Sequence, residues 1–347
     1  MVRKYYSTNK KIIKYLLWFF DKIFFRKKKK ISYKNTNKNI KFLIVRVEHL
    51  GDVLSTLSIH NYIKHYFKES KIDLLINEKS SFLKSALNIF DDVYQVKTSL
   101  FHDRQNKWFL KKIFYTLSSY FEGFKIIRKQ KYDYVIFPSP NFFGMQSIGF
   151  FAKKSITLSS SGLSFLNSIS IDINNKSTID DCSKLIIKNI IGEHKFSNSI
   201  NLRYSKLRIY DKNFLKKLNK NYLLVNLSSG NKRKNLNIHD INLIITKFKL
   251  MNSIKSIYVV GETNLDYSDL NYFEGLIIKN FGLKLSISQL TSLTKNASFV
   301  ITADSFMGHL SAATNVKSPI YIIYRDHEVM KRWKPPGENI ISIYKKN

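Results

Sequence analysis

The sequence predicts an α/β protein built from two halves, each containing a parallel β-sheet. The chain has 347 residues, of which 44% are hydrophobic, so it exceeds one ordinary domain and can fill two cores. From residue 40 onward, short apolar runs rich in β-formers alternate with amphipathic helical stretches, a pattern typical of βαβ units. This pattern restarts after a polar stretch over 172–220. We therefore expect two domains, 40–215 and 216–347, preceded by an N-terminal arm of residues 1–39.

The apolar runs and helical periodicities define the elements of both halves. The elements predicted up to residue 215 are the strands Lys41–Val47, Lys71–Ile76 and Tyr132–Phe137 and the helices Ser55–Tyr66, Phe109–Lys129 and Cys182–Ile191. Those predicted after it are the strands Tyr222–Leu227, Ser256–Val260, Phe299–Thr302 and Pro319–Ile323 and the helices Ile238–Leu250 and Leu285–Thr294. In such an arrangement we expect ligands to bind where the carboxyl ends of the two sets of strands face one another.

The N-terminal arm is basic and amphipathic. Residues 1–41 contain fourteen Lys and Arg residues and one acid, Asp21, while apolar residues such as Phe19 and Phe20 recur at helical spacing. The run is too short and too charged to span a bilayer, and Lys27–Lys30 stands where a signal peptide would carry its cleavage site. Such a helix predicts an in-plane membrane anchor. The alternative is a helix packed on the protein body with a solvated Lys-rich tail.

Charge and cysteine usage narrow the possible partners. The net charge of +33 comes mostly from Lys, whereas Arg, which matches phosphate and guanine edges better, is scarce. The charge therefore favours an anionic partner without predicting nucleic-acid binding. Cys182 is the only cysteine, and the histidines show no zinc-binding spacing. We expect a reduced, cytosolic protein that needs no structural metal.

The first predicted strand ends in the segment Val47–Val53, VEHLGDV. We expect Gly51 to supply the backbone freedom for a sharp turn, and Asp52 to lie at or near the start of the next helix. A carboxylate there can accept the proton of an attacking hydroxyl as a general base, or it can cap the helix. The residues alone favour the cap. Glu48 and His49 are further candidates for lining this turn.

The second half opens with a strand that runs into Ser228–Gly230 and the basic cluster Asn231–Lys234. Backbone N–H groups, hydroxyls and an ammonium group in such a loop can hold phosphate oxygens. The loop is equally consistent with a solvated turn of a Lys-rich protein. A turn after the next strand places Glu262 or Asp266 where acids often bind ribose hydroxyls.

The strongest local signal is the segment Thr302–Ala313, TADSFMGHLSAA. A strand ends at Thr302, Asp304 and Ser305 start a helix, and small residues follow that allow tight packing on a sheet. The N-terminus of such a helix suits a diphosphate. His309 is placed to donate a hydrogen bond to a phosphate oxygen, although a lone His in such a helix is more often structural.

Three of these stretches together resemble glycosyltransferase family 9, the bacterial lipopolysaccharide heptosyltransferases. They are LIVRVEHLGDVLSTL, VNLSSGNKRKNL and FVITADSFMGHLSAATNVKSPI, in the family's order over roughly residues 40–325. The resemblance implies the GT-B architecture, in which two Rossmann-like domains face each other across a cleft. It also implies transfer with inversion, no metal and no cofactor, ADP-heptose as donor, and the inner core of lipopolysaccharide as acceptor.

The resemblance also assigns roles to residues. Asp52 matches the family's proposed general base, which reverses the preference for a simple cap. The donor-binding positions that it implies are Ser228, Ser229, Lys234 (with Arg233 and Lys232 as alternatives), Asp304, Ser305 and His309. Glu262 joins this set because an acid that follows such a strand often binds ribose hydroxyls.

Three departures from the family pattern concern the donor side. Phe306 stands where the family has a Gly whose backbone approaches the donor, so we count it among the donor-binding positions. Leu236 and Asn237 replace a Trp-Pro pair, and Gly308 replaces a Met or Ser. A phenylalanine beside the diphosphate is expected to reshape the sugar pocket.

The sequence therefore predicts an inverting, metal-independent glycosyltransferase that transfers heptose to a lipopolysaccharide core or a related anionic glycolipid. Its expected place is the cytoplasmic face of the bacterial inner membrane, as a peripheral protein that does not bind nucleic acid. One alternative is the same fold with another donor or acceptor. Another is a degenerate, non-catalytic scaffold that binds membrane or nucleic acid. Phe306 and the charge favour this alternative, and the retained Asp52, Asp304 and His309 oppose it.

Overall fold

The computed structural model describes most of the chain after residue 38. The described residues are 39–97, 109–140, 145–161, 164–173, 177–197, 202–248, 254–261, 275–314 and 317–346, together with Tyr15 and Phe19. Tyr15 and Phe19 are helical and exposed, and with residue 39 they are the described part of the predicted arm. The rest of the arm, and Glu262, lie outside the described residues. Among the described helices, none is long and apolar enough to cross a bilayer.

The first unit contains a parallel sheet of six strands in the order β3-β2-β1-β4-β5-β6. Its strands are β1 (Lys41–Val45), β2 (Lys71–Asn77), β3 (Val93–Val96), β4 (Tyr134–Phe137), β5 (Ser155–Leu158) and β6 (Ile169–Ile171). Its α-helices are α1 (Leu50–Tyr66), α2 (Phe109–Gln130) and α3 (Ile179–Ile191), and a 3₁₀ helix spans Met145–Phe151.

The core of the first unit forms where β1 and its neighbours bury almost every side chain. Leu43, Leu75 and Val135 lie in one hydrophobic cluster, and all three are fully buried. Continuous apolar runs of this kind are typical of parallel strands covered on both faces. At one edge of the layer, α1 contacts α3 through Asp180, whose Oδ1 accepts hydrogen bonds from Ser58 Oγ at 3.3 Å and Tyr62 Oη at 3.2 Å.

The second unit repeats the arrangement with a six-stranded parallel sheet in the order β12-β11-β10-β7-β8-β9. Its strands are β7 (Tyr222–Asn226), β8 (Ser256–Val260), β9 (Ile277–Gly282), β10 (Phe299–Ala303), β11 (Ile320–Tyr324) and β12 (Ile340–Tyr344). Its α-helices are α4 (Lys212–Leu215), α5 (Ile238–Lys247), α6 (Ile287–Asn296), α7 (Phe306–Ala313) and α8 (His327–Trp333). The predicted α/β class with two parallel-sheet units is therefore confirmed.

The second unit begins before the boundary expected at residue 215. The two compact units divide at Leu202 and Arg203, with the short stretch Ser85–Ile89 grouped with the second. The residues after Leu202 are held by the second unit's own helices. The Leu207 N–H donates to the Ala313 carbonyl at 3.0 Å, and the Asp211 N–H donates to Ser292 Oγ at 2.6 Å.

Candidate functional site

The first group of candidate residues lies in the turn between β1 and α1. Asp52 is in the first turn of α1, where its Oδ2 accepts a hydrogen bond from the His49 N–H at 3.2 Å. Its Oδ1 accepts a hydrogen bond from Arg46 Nη2, also at 3.2 Å. The capping interaction considered from the sequence is therefore present. The Asp52 side chain keeps 20% of its surface exposed, so solvent and solutes can reach this carboxylate.

Arg46 joins Asp52 to a second, buried carboxylate. The Arg46 side chain is 2% exposed, and its Nε lies 3.4 Å from Oε2 of Glu48, which is 3% exposed. Burial raises the pKa of the Glu48 carboxyl to about 7, although the charge of Arg46 opposes this shift, and the charge of Asp52 adds to it. The sequence indicated Glu48 only as a residue that lines this turn, and Arg46 was not predicted to take part. The available signal was an arginine directly after an apolar strand, two residues before one acid and six before another.

Asn77, at the end of the neighbouring strand β2, shapes this turn. Its Nδ2 donates to the Val47 carbonyl at 2.6 Å and also contacts the Glu48 carbonyl. Gly51 lies within α1 and is not among the described glycines with positive φ. The expectation that Gly51 provides the freedom for the turn is therefore wrong. A buried amide from the next strand fixes the path of the chain instead.

A buried asparagine connects two loops of the second unit. Asn226, the last residue of β7, is 2% exposed, and its Nδ2 donates to the Ser228 carbonyl at 2.9 Å. The same Nδ2 lies 3.1 Å from Oγ1 of Thr302, which is in β10, and 3.0 Å from Oγ of Ser305, which follows that strand. One amide thus ties the loop after β7 to the start of α7. From the sequence we expected Asn226 near the end of this strand and predicted no function for it.

Lys234 is the basic residue that reaches the β10 loop. Its Nζ lies 2.6 Å from Oδ2 of Asp304, with the two side chains 32% and 12% exposed. Ser229 reinforces the contact, because its Oγ donates to the Asp304 carbonyl at 3.2 Å. The alternatives Lys232 and Arg233 are exposed. The structure therefore brings Ser229, Lys234 and Asp304 together, and their binding of a donor stays a prediction.

Ser228 contacts the loop after β8. A Cβ built on Gly261 would collide with the Ser228 side chain and would lie 2.6 Å from Asn226 Oδ1. Gly261 also has a φ of +93°, which L side chains rarely adopt. The chain after β8 thus passes close to Ser228 because the residue there is glycine. Glu262, the next residue, is outside the described part of the chain.

Helix α7 begins at the same edge of the sheet. Ser305 caps it by accepting a hydrogen bond from the Met307 N–H at 3.3 Å, and Phe306 is its half-buried first residue. A Cβ on Gly308 would lie 2.9 Å from Ile322 Cδ1. Gly308, which replaces a Met or Ser of the family pattern, therefore lets α7 pack closely on β11.

His309 has a hydrogen-bonding partner that the sequence did not reveal. Its Nδ1 lies 2.9 Å from Tyr204 Oη, the two rings stack with centroids 6.1 Å apart, and both side chains are buried. Tyr204 belongs to the segment that was expected to end the first domain. The structural role considered for His309 is therefore present.

The second unit thus gathers hydroxyls, an ammonium group and a helix start around the carboxyl ends of β7 and β10. Such groups hold the oxygens of phosphate-like anions. Among the described residues, no group of three or more His, Cys, Asp and Glu side chains is arranged to hold a metal ion. These groups lie at one edge of the second unit's sheet, and the first unit carries the partly exposed carboxylate of Asp52.

The raised pKa of Glu48 predicts how stability depends on pH. The ordinary value is 4.5 and the folded value is about 7, so the folded state holds this proton more tightly. Between these values the unfolded chain loses the proton first, and Glu48 lowers the free energy of unfolding as pH rises, by on the order of 3 kcal/mol in total. Glu48→Gln cannot titrate, so its stability relative to the parent should improve from about pH 4.5 to pH 7. Denaturant unfolding at several pH values measures this difference, and a pH-independent difference would contradict the assignment.

The close passage of the β8 loop predicts a large effect at Gly261. Gly261→Ala should lower the free energy of unfolding by about 1–3 kcal/mol, because the backbone is left-handed and the Cβ would meet Ser228. Gly230→Ala is the matched control, since nothing lies within 4 Å of a Cβ at that position. Chemical unfolding of both variants tests the prediction, and equal stabilities would refute it.

Comparison with solved structures identifies the fold. The sequence matches no protein-family model and no curated protein sequence. The glycosyl transferase family 9 structure from Veillonella parvula superposes with a TM-score of 0.69 at 16% identity, over 91% of this chain and 87% of that one. E. coli ADP-heptose lipopolysaccharide heptosyltransferase II superposes with a TM-score of 0.64 at 12% identity, over 88% of this chain and 90% of that one.

A further similar structure is E. coli heptosyltransferase WaaC with ADP, with a TM-score of 0.62 and 15% identity, over 88% of this chain and 93% of that one. At these identities the likeness concerns the fold, and it matches the family that the three sequence stretches resemble. The chain has the GT-B-like α/β fold of family 9 glycosyltransferases and heptosyltransferases.

Proposed function

We propose that the chain is an inverting, metal-independent glycosyltransferase that uses a nucleoside-diphosphate sugar. The observation that carries the proposal is the group formed by Ser229, Lys234 and Asp304 beside the start of α7. It offers a cation, hydroxyls and backbone N–H groups to a diphosphate, within a fold shared with heptosyltransferases. The solved WaaC structures contain ADP or ADP-2-deoxy-2-fluoro heptose, which supports ADP-heptose as the donor here.

On the donor side, Lys234 would balance the charge that develops on the leaving diphosphate. Ser228, Ser229 and Ser305 would supply hydroxyls, and His309 would donate from its imidazole. Because the Asn226 amide and the Asp304 contacts already hold these loops, the groups need little rearrangement when charge appears. Preorganised donors of this kind stabilise transition-state charge, which is the work that a metal ion performs in other transferases.

On the acceptor side, Asp52 would act as the general base. The acceptor hydroxyl oxygen would bond to the anomeric carbon while the bond from that carbon to the diphosphate oxygen breaks, with its electron pair leaving on the diphosphate. The hydroxyl proton would pass to Asp52. Each Asp52 oxygen accepts one hydrogen bond, from Arg46 or from His49, which orients the carboxylate and leaves lone pairs for this proton.

The acceptor proposed for this reaction is an anionic glycolipid, a lipopolysaccharide core or a related glycan. The net charge of +33 supports a negatively charged partner. The basic amphipathic arm supports a place at the cytoplasmic surface of the inner membrane. Phe306 favours a second candidate, a transferase with the same chemistry and a different sugar. It is half-buried at the first position of α7, where bulk would alter the pocket for the sugar.

The base assignment predicts a selective loss of transfer in Asp52→Asn. Asparagine retains an oxygen for the His49 N–H but cannot take a proton, so we expect kcat/KM to fall at least about a hundredfold with ADP binding unchanged. Asp181→Asn is the matched control. Asp181 Oδ2 accepts a hydrogen bond from the Thr178 N–H in the first turn of α3, and Asp52 Oδ2 accepts the equivalent bond from the His49 N–H in α1. Transfer assays use the nucleotide sugar that protects the protein best in thermal shift. Full transfer by Asp52→Asn would refute the base role.

The donor site predicts that Lys234→Met weakens nucleotide binding. Loss of the charge-assisted contact should raise the dissociation constant for ADP by about tenfold or more. Lys232→Met removes an exposed lysine from the same 3₁₀ turn and should leave the constant nearly unchanged. Isothermal titration of both variants with ADP measures the difference. If both variants weakened ADP binding equally, the effect would come from the overall positive charge and a specific role of Lys234 would be refuted.

A further inference from the structure

The first unit carries an exposed aromatic surface that takes no part in the proposed reaction. Leu117, Phe121, Phe150 and Phe151 are exposed to 60%, 57%, 58% and 53%. Phe151 packs against Phe124 with ring centroids 4.6 Å apart and against Phe150 at 5.3 Å. We call these five side chains the aromatic patch. Leu117 and Phe121 are neighbours at helical spacing on α2, as are Phe121 and Phe124. Isolated exposed apolar residues are ordinary, whereas a group of large neighbouring ones marks an interaction surface.

The patch is separate from the stripe by which α2 joins the core. On the core side, Ile127 is 3% exposed, and a Cβ on Gly123 would lie 2.9 Å from Ile148 Cδ1. That close approach fixes α2 against the 3₁₀ helix Met145–Phe151. Helix α2 therefore carries apolar side chains outside its core stripe, and two of them, Leu117 and Phe121, are exposed.

Two cations lie over rings of the patch. Lys125 Nζ lies 4.3 Å from the Phe121 ring centroid, and Arg128 Cζ lies 5.5 Å from that of Phe124. Lys129 is also exposed on the same helix. The nearest acid on α2, Glu122, accepts a hydrogen bond from Ser118 Oγ at 3.1 Å. The surface thus combines exposed aromatic rings with an excess of positive charge.

We propose that the aromatic patch docks on an anionic lipid bilayer. Aromatic rings enter the boundary between headgroups and acyl chains, while Lys and Arg stems extend along them to reach lipid phosphates. The cations over the Phe121 and Phe124 rings place aromatic and charged groups on one surface. This surface matches a bilayer, in which charged headgroups lie next to apolar acyl chains. The charge excess selects anionic lipid, since each cation near such a surface contributes attraction. The inference does not depend on the transferase reaction or on the N-terminal arm.

Co-sedimentation of the full chain with vesicles of phosphatidylglycerol and phosphatidylcholine, or of phosphatidylcholine alone, tests the proposal. The patch variant is Phe121→Ser with Phe151→Ser. The matched control is Ile277→Ser with Leu283→Ser, two residues of the second unit that are 59% and 74% exposed. We expect the patch variant to partition at least about tenfold less onto anionic vesicles, and the control to stay within about twofold of the parent.

Because the basic arm is itself a predicted membrane anchor, both variants are also made in a chain with Lys27→Gln, Lys28→Gln, Lys29→Gln and Lys30→Gln. Any remaining anionic-vesicle binding in that background should disappear with the patch variant. Unchanged partition in both backgrounds overturns the proposal. A shift in self-association by sedimentation velocity, with partition unchanged, would instead make the patch an interface between copies of the chain. Far-UV circular dichroism and thermal unfolding report whether the variants are folded.

A fluorescent label gives a local measurement. Cys182 is the only cysteine and is buried, so a Cys182→Ala background accepts a single nitrobenzoxadiazole label at Leu117→Cys. Anionic vesicles should shift the emission of this label to the blue, and a label at Leu283→Cys should not respond. An equal response at both positions would contradict docking through the patch.

Discussion

Parallel pairing of the central strands is the constraint on which both groups of candidate residues depend. Strand β1 lies between β2 and β4, and β7 lies between β8 and β10, so the residues that follow these strands emerge at one edge of each sheet. Asn77 can therefore hold the turn after β1, and Asn226 can reach the start of α7. In each unit a buried amide near a strand end converts adjacent loops into one fixed surface. The chemistry proposed for the protein uses that edge in both units.

The central strands were predictable because burial on both faces leaves a continuous apolar run, as in Tyr222–Asn226. Strands at the margins lack this signal. Ile277–Gly282 forms β9 at an edge with most of its side chains exposed or half-exposed, and Ile169–Ile171 forms β6 from three residues only. Helix α1 began earlier than the predicted Ser55 because its first turn contains Gly51 and Asp52, which do not show helical periodicity. Elements that are held by neighbours, without an apolar run of their own, leave little trace in a sequence.

The same distinction separates the candidate residues that were predictable from their partners. Asp52, Asp304 and Ser305 stand beside strand ends and helix starts, so local pattern sufficed to find them. Tyr204 was not predictable, because its contact with His309 joins residues far apart in the chain and lies in a polar segment that was assigned to the other domain. The burial of Glu48 beside Arg46 likewise arises only when the sheet forms. Tertiary contacts thus decide the environment of groups whose positions the sequence indicates.

In the donor site that we propose, the ion pair between Lys234 and Asp304 would compete with an incoming anion for the lysine. Its lysine is already neutralised, so an incoming anion exchanges one negative partner for another and gains only the difference between them. A small, singly charged anion offers little more than Asp304 does. An anion with several charged oxygens can share the ammonium with Asp304 and engage the neighbouring hydroxyls as well. In that site the pair would act as a charge threshold, which would discriminate against the abundant simple anions of a cell and would hold the lysine in place when no donor is bound.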